Sequence, residues 1–163
     1  TADGSTFTVF QVASIVEGSG DYIVSIGPVI YADGAVTQTT VRRGKSREEQ
    51  IVDIVEERTR RLALGFNYDF GDERGVHVIG TTPEDMAGWS EVTTLANAMS
   101  ALGDTVSTIS IATNTGPVDV TALEWMNICV AAAQFRQPIW GASFVLQSME
   151  TIPEEPRDDQ YWP

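Results

Sequence analysis

Residues 121–135 run TALEWMNICVAAAQF and give the clearest structural signal in the chain. Thr121 and Glu124 have the spacing of a capping box, in which each side chain accepts a hydrogen bond from the other residue's backbone N–H at a helix start. One broad apolar face then recurs at helical spacing; its members are Trp125, Ile128, Cys129, Ala132 and Phe135. We expect a long helix here, which Pro138 kinks or breaks before helix resumes over 139–149.

Two further helices are predicted upstream. Ser46 and Glu49 form another capping box at the start of a helix over 46–64, and Gly65 is suited to end it. Thr82 followed by Pro83 marks the start of a helix that ends near Gly103. Short β-hairpins are predicted between the helices; their strands are 66–70 with 76–79, and 105–113 with 118–120.

The N-terminal quarter has the composition of strands. Residues 5–16, 22–31 and 35–42 are rich in Val, Ile, Thr and aromatic residues, with turn signals between them and a bulge or bend at Gly27-Pro28. We predict an antiparallel β-meander. The fold class is therefore α+β, in which the meander precedes a domain of short hairpins and three helices. The predicted regions are 1–42 for docking or oligomerisation, 43–152 for the α+β domain, and 153–163 for an acidic, Pro-rich tail.

Charge limits the classes of partner. The 163 residues carry a net charge of −13, which disfavours nucleic acid and anionic membrane surfaces as ligands. There is no apolar run long enough to cross a bilayer. Seven of the ten basic residues lie within residues 42–61. This segment could dock on the acidic face of a neighbouring copy, although a solvated helix surface gives the same pattern.

The residues needed for catalysis or metal binding are scarce. With one histidine, His77, and one cysteine, Cys129, the chain has no zinc motif and no hydrolase or cysteine-protease context. Asn67 starts an acidic stretch, but the sixth and twelfth positions of an EF-hand would be Asp72 and Val78, which do not fit. We expect no enzyme, no catalytic residue, no cofactor and no metal. An irregular cation site and an unidentified pair of carboxylates remain open.

Candidate partner-binding residues are basic or aromatic. The basic ones precede the first helix, and the aromatic ones follow the Pro138 position or end the chain, where an aromatic side chain could anchor in a partner's pocket. They are Arg42, Arg43, Lys45, Arg47, Trp140, Tyr161 and Trp162. Trp140 could alternatively take part in a sugar-binding platform.

From about Arg58 onward, over roughly 95 residues, the chain resembles a domain of unknown function that recurs in bacteriophage tail and tail-fibre-associated proteins. The likeness rests on the order and spacing of its elements: a basic helix, a hairpin, the helix at Thr82, a hairpin turning at 114–116, and the long helix from Thr121. The chain differs from the family at Ile111, where a tryptophan is common, and after Glu150, where it becomes acidic.

The resemblance implies a virion protein that is made in the bacterial cytoplasm and located in the phage tail. Its partners would be other tail or fibre proteins, and it would form a symmetric homo-oligomer, a trimer or a hexamer. The expected function is a structural tail, tail-tip or fibre-attachment protein. A tail-fibre assembly chaperone, a host carbohydrate-binding module and a small hydrolase are the alternatives.

Overall fold

The structure is a computed structural model that describes residues 11–18 and 22–163. Two units make up the chain, Thr1–Gln50 and Ile51–Pro163. Three α-helices and several small sheets confirm the predicted α+β class.

Three strands form the sheet of the first unit: β1 (Val12–Glu17), β2 (Tyr22–Ala32) and β3 (Ala35–Arg43). β2 and β3 form the predicted antiparallel hairpin, with a bulge between Ile26 and Val29. However, β1 pairs with β3 in parallel, so the strand order is β1-β3-β2. The predicted antiparallel meander is therefore wrong in its strand order, because residue alternation indicates the faces of a strand and not its neighbours. Residues 5–10 of the predicted first strand lie outside the described residues.

Gly18 lets the chain leave β1 close to the end of β3. β1 ends at Glu17 opposite Val41, and β2 begins at Tyr22 opposite Arg43, so both ends lie at the same end of β3. Gly18 has a φ of 85°, and a Cβ at this position would lie 2.0 Å from the carbonyl oxygen of Arg42. Only glycine fits both the backbone angle and the close approach.

Helix α1 (Arg47–Leu62) begins with the predicted capping box. The backbone N–H of Ser46 donates to Glu49 Oε2 at 2.8 Å, and that of Glu49 donates to Ser46 Oγ at 3.3 Å. Gly65 follows the helix with a φ of 74°, as the predicted stop requires.

The second unit continues with a hairpin, a helix, a second hairpin and a long helix. The elements are β4 (Phe66–Asp69), β5 (Val76–Ile79), α2 (Pro83–Ala101), β6 (Thr108–Thr113), β7 (Gly116–Thr121) and α3 (Ala122–Ser148). The predicted box of Thr121 and Glu124 caps α3, and Thr82 caps α2 together with Asp85. Each helix start therefore has its backbone N–H groups satisfied by the residue types that the sequence places there.

Helix α3 runs through Pro138 without a break. Buried residues recur at helical spacing on both sides of the proline, with Trp125, Ile128 and Ala132 before it and Ile139 and Leu146 after it. Of the predicted kink or break, the break is therefore absent. We attribute this to the packing of one continuous buried face, which offsets the loss of a single helical hydrogen bond.

Two hydrophobic clusters form the core of the second unit. The larger cluster joins α2 and α3 to the two hairpins, and its largest buried side chain is Trp125. The smaller cluster joins α1, the second half of α3 and the C-terminal segment; its buried members are Ile54, Leu62, Ile139, Leu146, Ile152 and Trp162.

The C-terminal segment, residues 152–163, belongs to this core. Ile152, Pro156 and Trp162 are buried, and the Trp162 indole N–H donates to the carbonyl oxygen of Pro156 at 2.9 Å. Arg157 forms ion pairs with Asp53 and Glu56 on α1. The predicted exposed tail is therefore wrong, because three apolar residues without a regular period are enough to hold an otherwise polar segment against two helices.

Candidate functional site

One face of the N-terminal sheet is apolar and exposed. In the β1–β3 register Val12 lies beside Val36 and Val16 beside Thr40, while on the other side of β3 Ile26 pairs with Thr40 and Val29 with Gln38. Paired residues share a face, and alternate residues of β3 lie on the same face. The apolar side chains of this face, here called the apolar sheet face, are Val12, Val16, Ile26, Val29, Tyr31 and Val36, and the polar residues Ser14, Gln38 and Thr40 lie among them.

Five of the six apolar side chains of this face are exposed, and Val36 is half-buried. The exposed fraction is 53% for Val16, 62% for Ile26 and 56% for Val29. The opposite face also carries exposed apolar side chains, Ile15 and Ile30. Among residues 11–18 and 25–50, none is buried. The described part of this unit thus has the strands of a sheet but no hydrophobic core.

The predicted basic residues lie together where β3 gives way to α1. Arg43 forms an ion pair with Glu49, with hydrogen bonds of 2.6 and 2.8 Å, and also donates to the carbonyl oxygen of Gly44. Lys45 and Arg47 are exposed, and Arg42 is half-buried. The basic residues thus form one continuous segment, but the ion pair with Glu49 partly neutralises the charge of Arg43.

The predicted aromatic anchors are not free. Trp162 is 7% exposed and lies within the smaller core cluster, and Arg61 lies over its ring at 5.3 Å. Tyr161 packs against the same cluster. The interpretation of this pair as an exposed anchor is wrong, because Trp162 already occupies a pocket of its own chain.

Trp140 lies at the edge of a cavity of about 280 Å³ in the second unit. The guanidinium of Arg58 lies over its ring, 4.1 Å from the centroid, and the ring of Phe144 is 5.8 Å away. Arg136 and the apolar residues Leu62, Pro83 and Met86 also line the cavity. The sequence singled out Trp140 but not Arg58 or Arg136. The spacing of Arg136 and Trp140, one helical turn apart, was the signal that could have indicated a shared surface.

The remaining candidates for chemistry have structural roles in the described chain. The Nδ1 of His77 lies 3.0 Å from Thr113 Oγ1 and 3.1 Å from Thr115 Oγ1, which ties the two hairpins together. Burial raises the pKa of the Cys129 thiol, which keeps it protonated and unreactive.

The acidic loop after β4 is held by an arginine. Arg74 forms ion pairs with Asp72 and with Glu124 at the start of α3, and hydrogen bonds from Arg74 lower the pKa of both carboxyl groups. Within residues 11–18 and 22–163, no group of three or more His, Cys, Asp or Glu side chains is placed to hold a metal ion. In the same part of the chain, no helix combines the length and apolar character needed to span a bilayer.

No family model matches the chain, and neither the curated proteins nor the solved structures contain a match. The resemblance to the phage tail-associated domain therefore stays a prediction.

Proposed function

We propose that the chain is a structural component of a bacteriophage virion, a tail, tail-tip or fibre-attachment protein that acts in assembly and not in catalysis. The observation that supports this most is the apolar sheet face, which is exposed on a sheet without a buried residue among those described. The phage context comes from the resemblance of the second unit to tail-associated domains.

The physical argument is that such a sheet needs a partner. A sheet of three strands is about the smallest that is stable in water, and then only when one of its faces is packed. Large exposed apolar patches on folded proteins usually mark sites of association. A second copy of the chain is the simplest occupant, and in a ring of three or six copies this face of each copy would contact a different patch of the next copy. A trimer or a hexamer would fit a tail component.

Two of the alternatives have less support. The carbohydrate-binding module was expected to use Trp140, and the guanidinium of Arg58 covers one face of that ring. The assembly chaperone was suggested by an acidic chain with a docking tail; the chain is acidic, but Trp162 of the tail is buried.

The test is the molar mass of the protein by light scattering after size exclusion, at low and high salt. We expect a trimer or hexamer that high salt does not dissociate, since apolar contacts are not screened. The substitution Val29→Lys should dissociate it. Val130→Lys is the matched control, because Val130 on α3 is 58% exposed and Val29 is 56% exposed.

A monomeric wild-type protein, or equal behaviour of the two lysine variants, would contradict assembly through the sheet. The virion context is tested separately by mass spectrometry of purified phage particles. A protein that is absent from the particles would not be a structural component.

A further inference from the structure

Two arginines line the cavity beside Trp140, and among the described residues they are the arginines of their unit that form no ion pair. Residues 51–163 hold six arginines. Four of them form ion pairs with carboxylates: Arg60, Arg61, Arg74 and Arg157. Arg58 and Arg136 form none among the described residues, and both line this cavity. The chain has a net charge of −13 and therefore an excess of carboxylates, so two arginines that form no ion pair among the described residues are unexpected in one cavity.

Arg58 is held in position by neutral groups. Its guanidinium lies over the Trp140 ring at 4.1 Å, and its Nη1 donates to the buried Ser143 Oγ at 3.3 Å. Its Nε–H is buried and has no hydrogen-bond partner among the described residues. Stacking on an aromatic ring orients a guanidinium without neutralising it, so the positive charge of Arg58 is available to a ligand.

Arg136 is held more loosely. Its Nη1 lies 3.5 Å from the carbonyl oxygen of Thr81, the upper limit of a hydrogen bond. Thr81 itself is 3% exposed, and its hydroxyl donates to the carbonyl oxygen of Leu62 at 2.6 Å, which fixes this wall of the cavity. The guanidinium of Arg136 therefore has several donors left for an anion.

The rest of the lining is mostly apolar, and the hydroxyls of its two threonines, Thr59 and Thr81, donate to backbone carbonyl oxygens of the chain. Leu62, Ala63, Pro83 and Met86 complete the wall, and the volume of about 280 Å³ suits a group of a few carbon atoms. Two guanidinium groups beside an apolar wall are suited to a ligand that has a negatively charged group and a small hydrocarbon part. A bare inorganic anion would leave the apolar wall unused.

We propose that this cavity is a binding site for a carboxylate carried on a small apolar group. The same chemistry occurs in a free organic acid and in the C-terminus of a peptide that ends in an aliphatic residue. Arg58 and Arg136 would bind the carboxylate through charge-assisted hydrogen bonds, and Met86 and Pro83 would contact the hydrocarbon part. This site does not depend on the proposed role in assembly.

The experiment is isothermal titration calorimetry of the full chain with four probes: isocaproate, its neutral amide isocaproamide, acetyl-glycyl-leucine, and inorganic phosphate. We expect at least one of the two carboxylates to bind. The amide and phosphate should each bind at least about tenfold more weakly. The amide loses the charge-assisted hydrogen bonds to the arginines, and phosphate loses the contact with the apolar wall. Binding of isocaproate alone indicates a free acid, and tighter binding of acetyl-glycyl-leucine indicates a peptide C-terminus.

Arg136→Gln is the main variant, because Arg136 makes one long hydrogen bond and its loss should leave the fold intact. It should weaken carboxylate binding at least about tenfold. Arg58→Gln, with folding checked by circular dichroism, should do the same. Arg60→Gln removes the same charge from α1, but Arg60 pairs with Glu57 and does not line the cavity, so affinity should not change. Absence of carboxylate binding, equal binding of acid and amide, equal binding of phosphate, or unchanged affinity in Arg136→Gln would overturn the proposal.

Discussion

The two units of the chain use apolar residues in opposite ways. All of the buried hydrophobic residues that the structure describes lie in residues 51–163, where they form two clusters. The sheet of the first unit is richer in Val and Ile than the second unit, yet its described side chains are exposed or half-buried. The second unit therefore buries its apolar side chains within the chain, whereas the first unit leaves apolar side chains exposed, where they can contact another molecule. Burial, and not composition, separates the unit that folds on its own core from the one that we propose to assemble.

The largest effect is expected at the centre of the larger cluster. Trp125 is 2% exposed, contacts Trp89 edge-on at 4.9 Å, and donates from its indole N–H to Thr93 Oγ1 at 2.9 Å. Trp125→Ala should lower the free energy of unfolding by about 3–5 kcal/mol, the usual cost of a large cavity. Urea denaturation followed by circular dichroism measures it. Leu102→Ala, at a residue that is 85% exposed, should change it by less than about 0.5 kcal/mol.

The next effect tests whether the C-terminal segment belongs to the core. Trp162→Ala should lower the free energy of unfolding by about 3 kcal/mol, since it leaves a cavity between α1, α3 and residues 152–156. The control is Glu154→Ala, at an exposed residue of the same segment. A Trp162→Ala protein that unfolds at the same urea concentration as the control would show that the segment is an appendage after all.

A smaller effect concerns pH. Hydrogen bonds from Arg60 and then Arg61 lower the pKa of Glu57 below its ordinary value of 4.5, and they outweigh the opposing effect of burial. A carboxyl group with a lowered pKa in the folded state stabilises the protein above its unfolded-state pKa, and this contribution is lost as the pH falls through the folded-state value. Glu57→Gln should therefore lower the free energy of unfolding by about 2 kcal/mol near neutral pH. The decrease should become progressively smaller in acid.

Thermal melts between about pH 7 and pH 3 measure this difference. Glu154→Gln, at an exposed position, should keep the pH dependence of the wild type. If the Glu57→Gln protein and the wild type lose the same stability as the pH falls, the contacts of Glu57 with Arg60 and Arg61 do not contribute to the pH dependence of stability.

The smallest effect is expected in the sheet. Val29→Ala removes two methyl groups from a side chain that is 56% exposed, so it should change the free energy of unfolding by less than about 0.5 kcal/mol in dilute protein. Its effect on self-association should be larger than its effect on stability. A loss of stability in dilute protein as large as that of Trp162→Ala would show that the face is packed within a single chain.

The sequence was most informative where structure is determined locally. The capping boxes at Ser46 and Thr121, the turn between β2 and β3 and the bulge at Gly27-Pro28 are all predicted from the sequence, because each depends on residues a few positions apart. The neighbour of β1 was missed, since pairing between β1 and β3 depends on contacts across about 24 residues that alternation does not encode.

The candidate sites were harder to predict for a similar reason. Trp162 and Trp140 are both aromatic residues in unremarkable surroundings, and nothing local indicates that one is buried in its own core and the other lies beneath an arginine. Arg58 looks like an ordinary cation near a helix C-terminus. Its role emerges only when α3 brings Trp140, Ser143 and Arg136 close to it.

The parallel pairing of β1 with β3 favours formation of the β2–β3 hairpin before β1 joins the sheet. β2 and β3 are joined by the two-residue turn at Asp33-Gly34, so they can pair within microseconds as a local hairpin. β1 precedes both in the chain, but its partner is complete only when Arg43 has been synthesised, so we expect β1 to pair after the hairpin has formed. During that interval the β3 strand of another nascent chain offers the same register. The topology thus makes β1 the strand most readily exchanged between copies, and a high local concentration of chains would favour swapped sheets over closed ones.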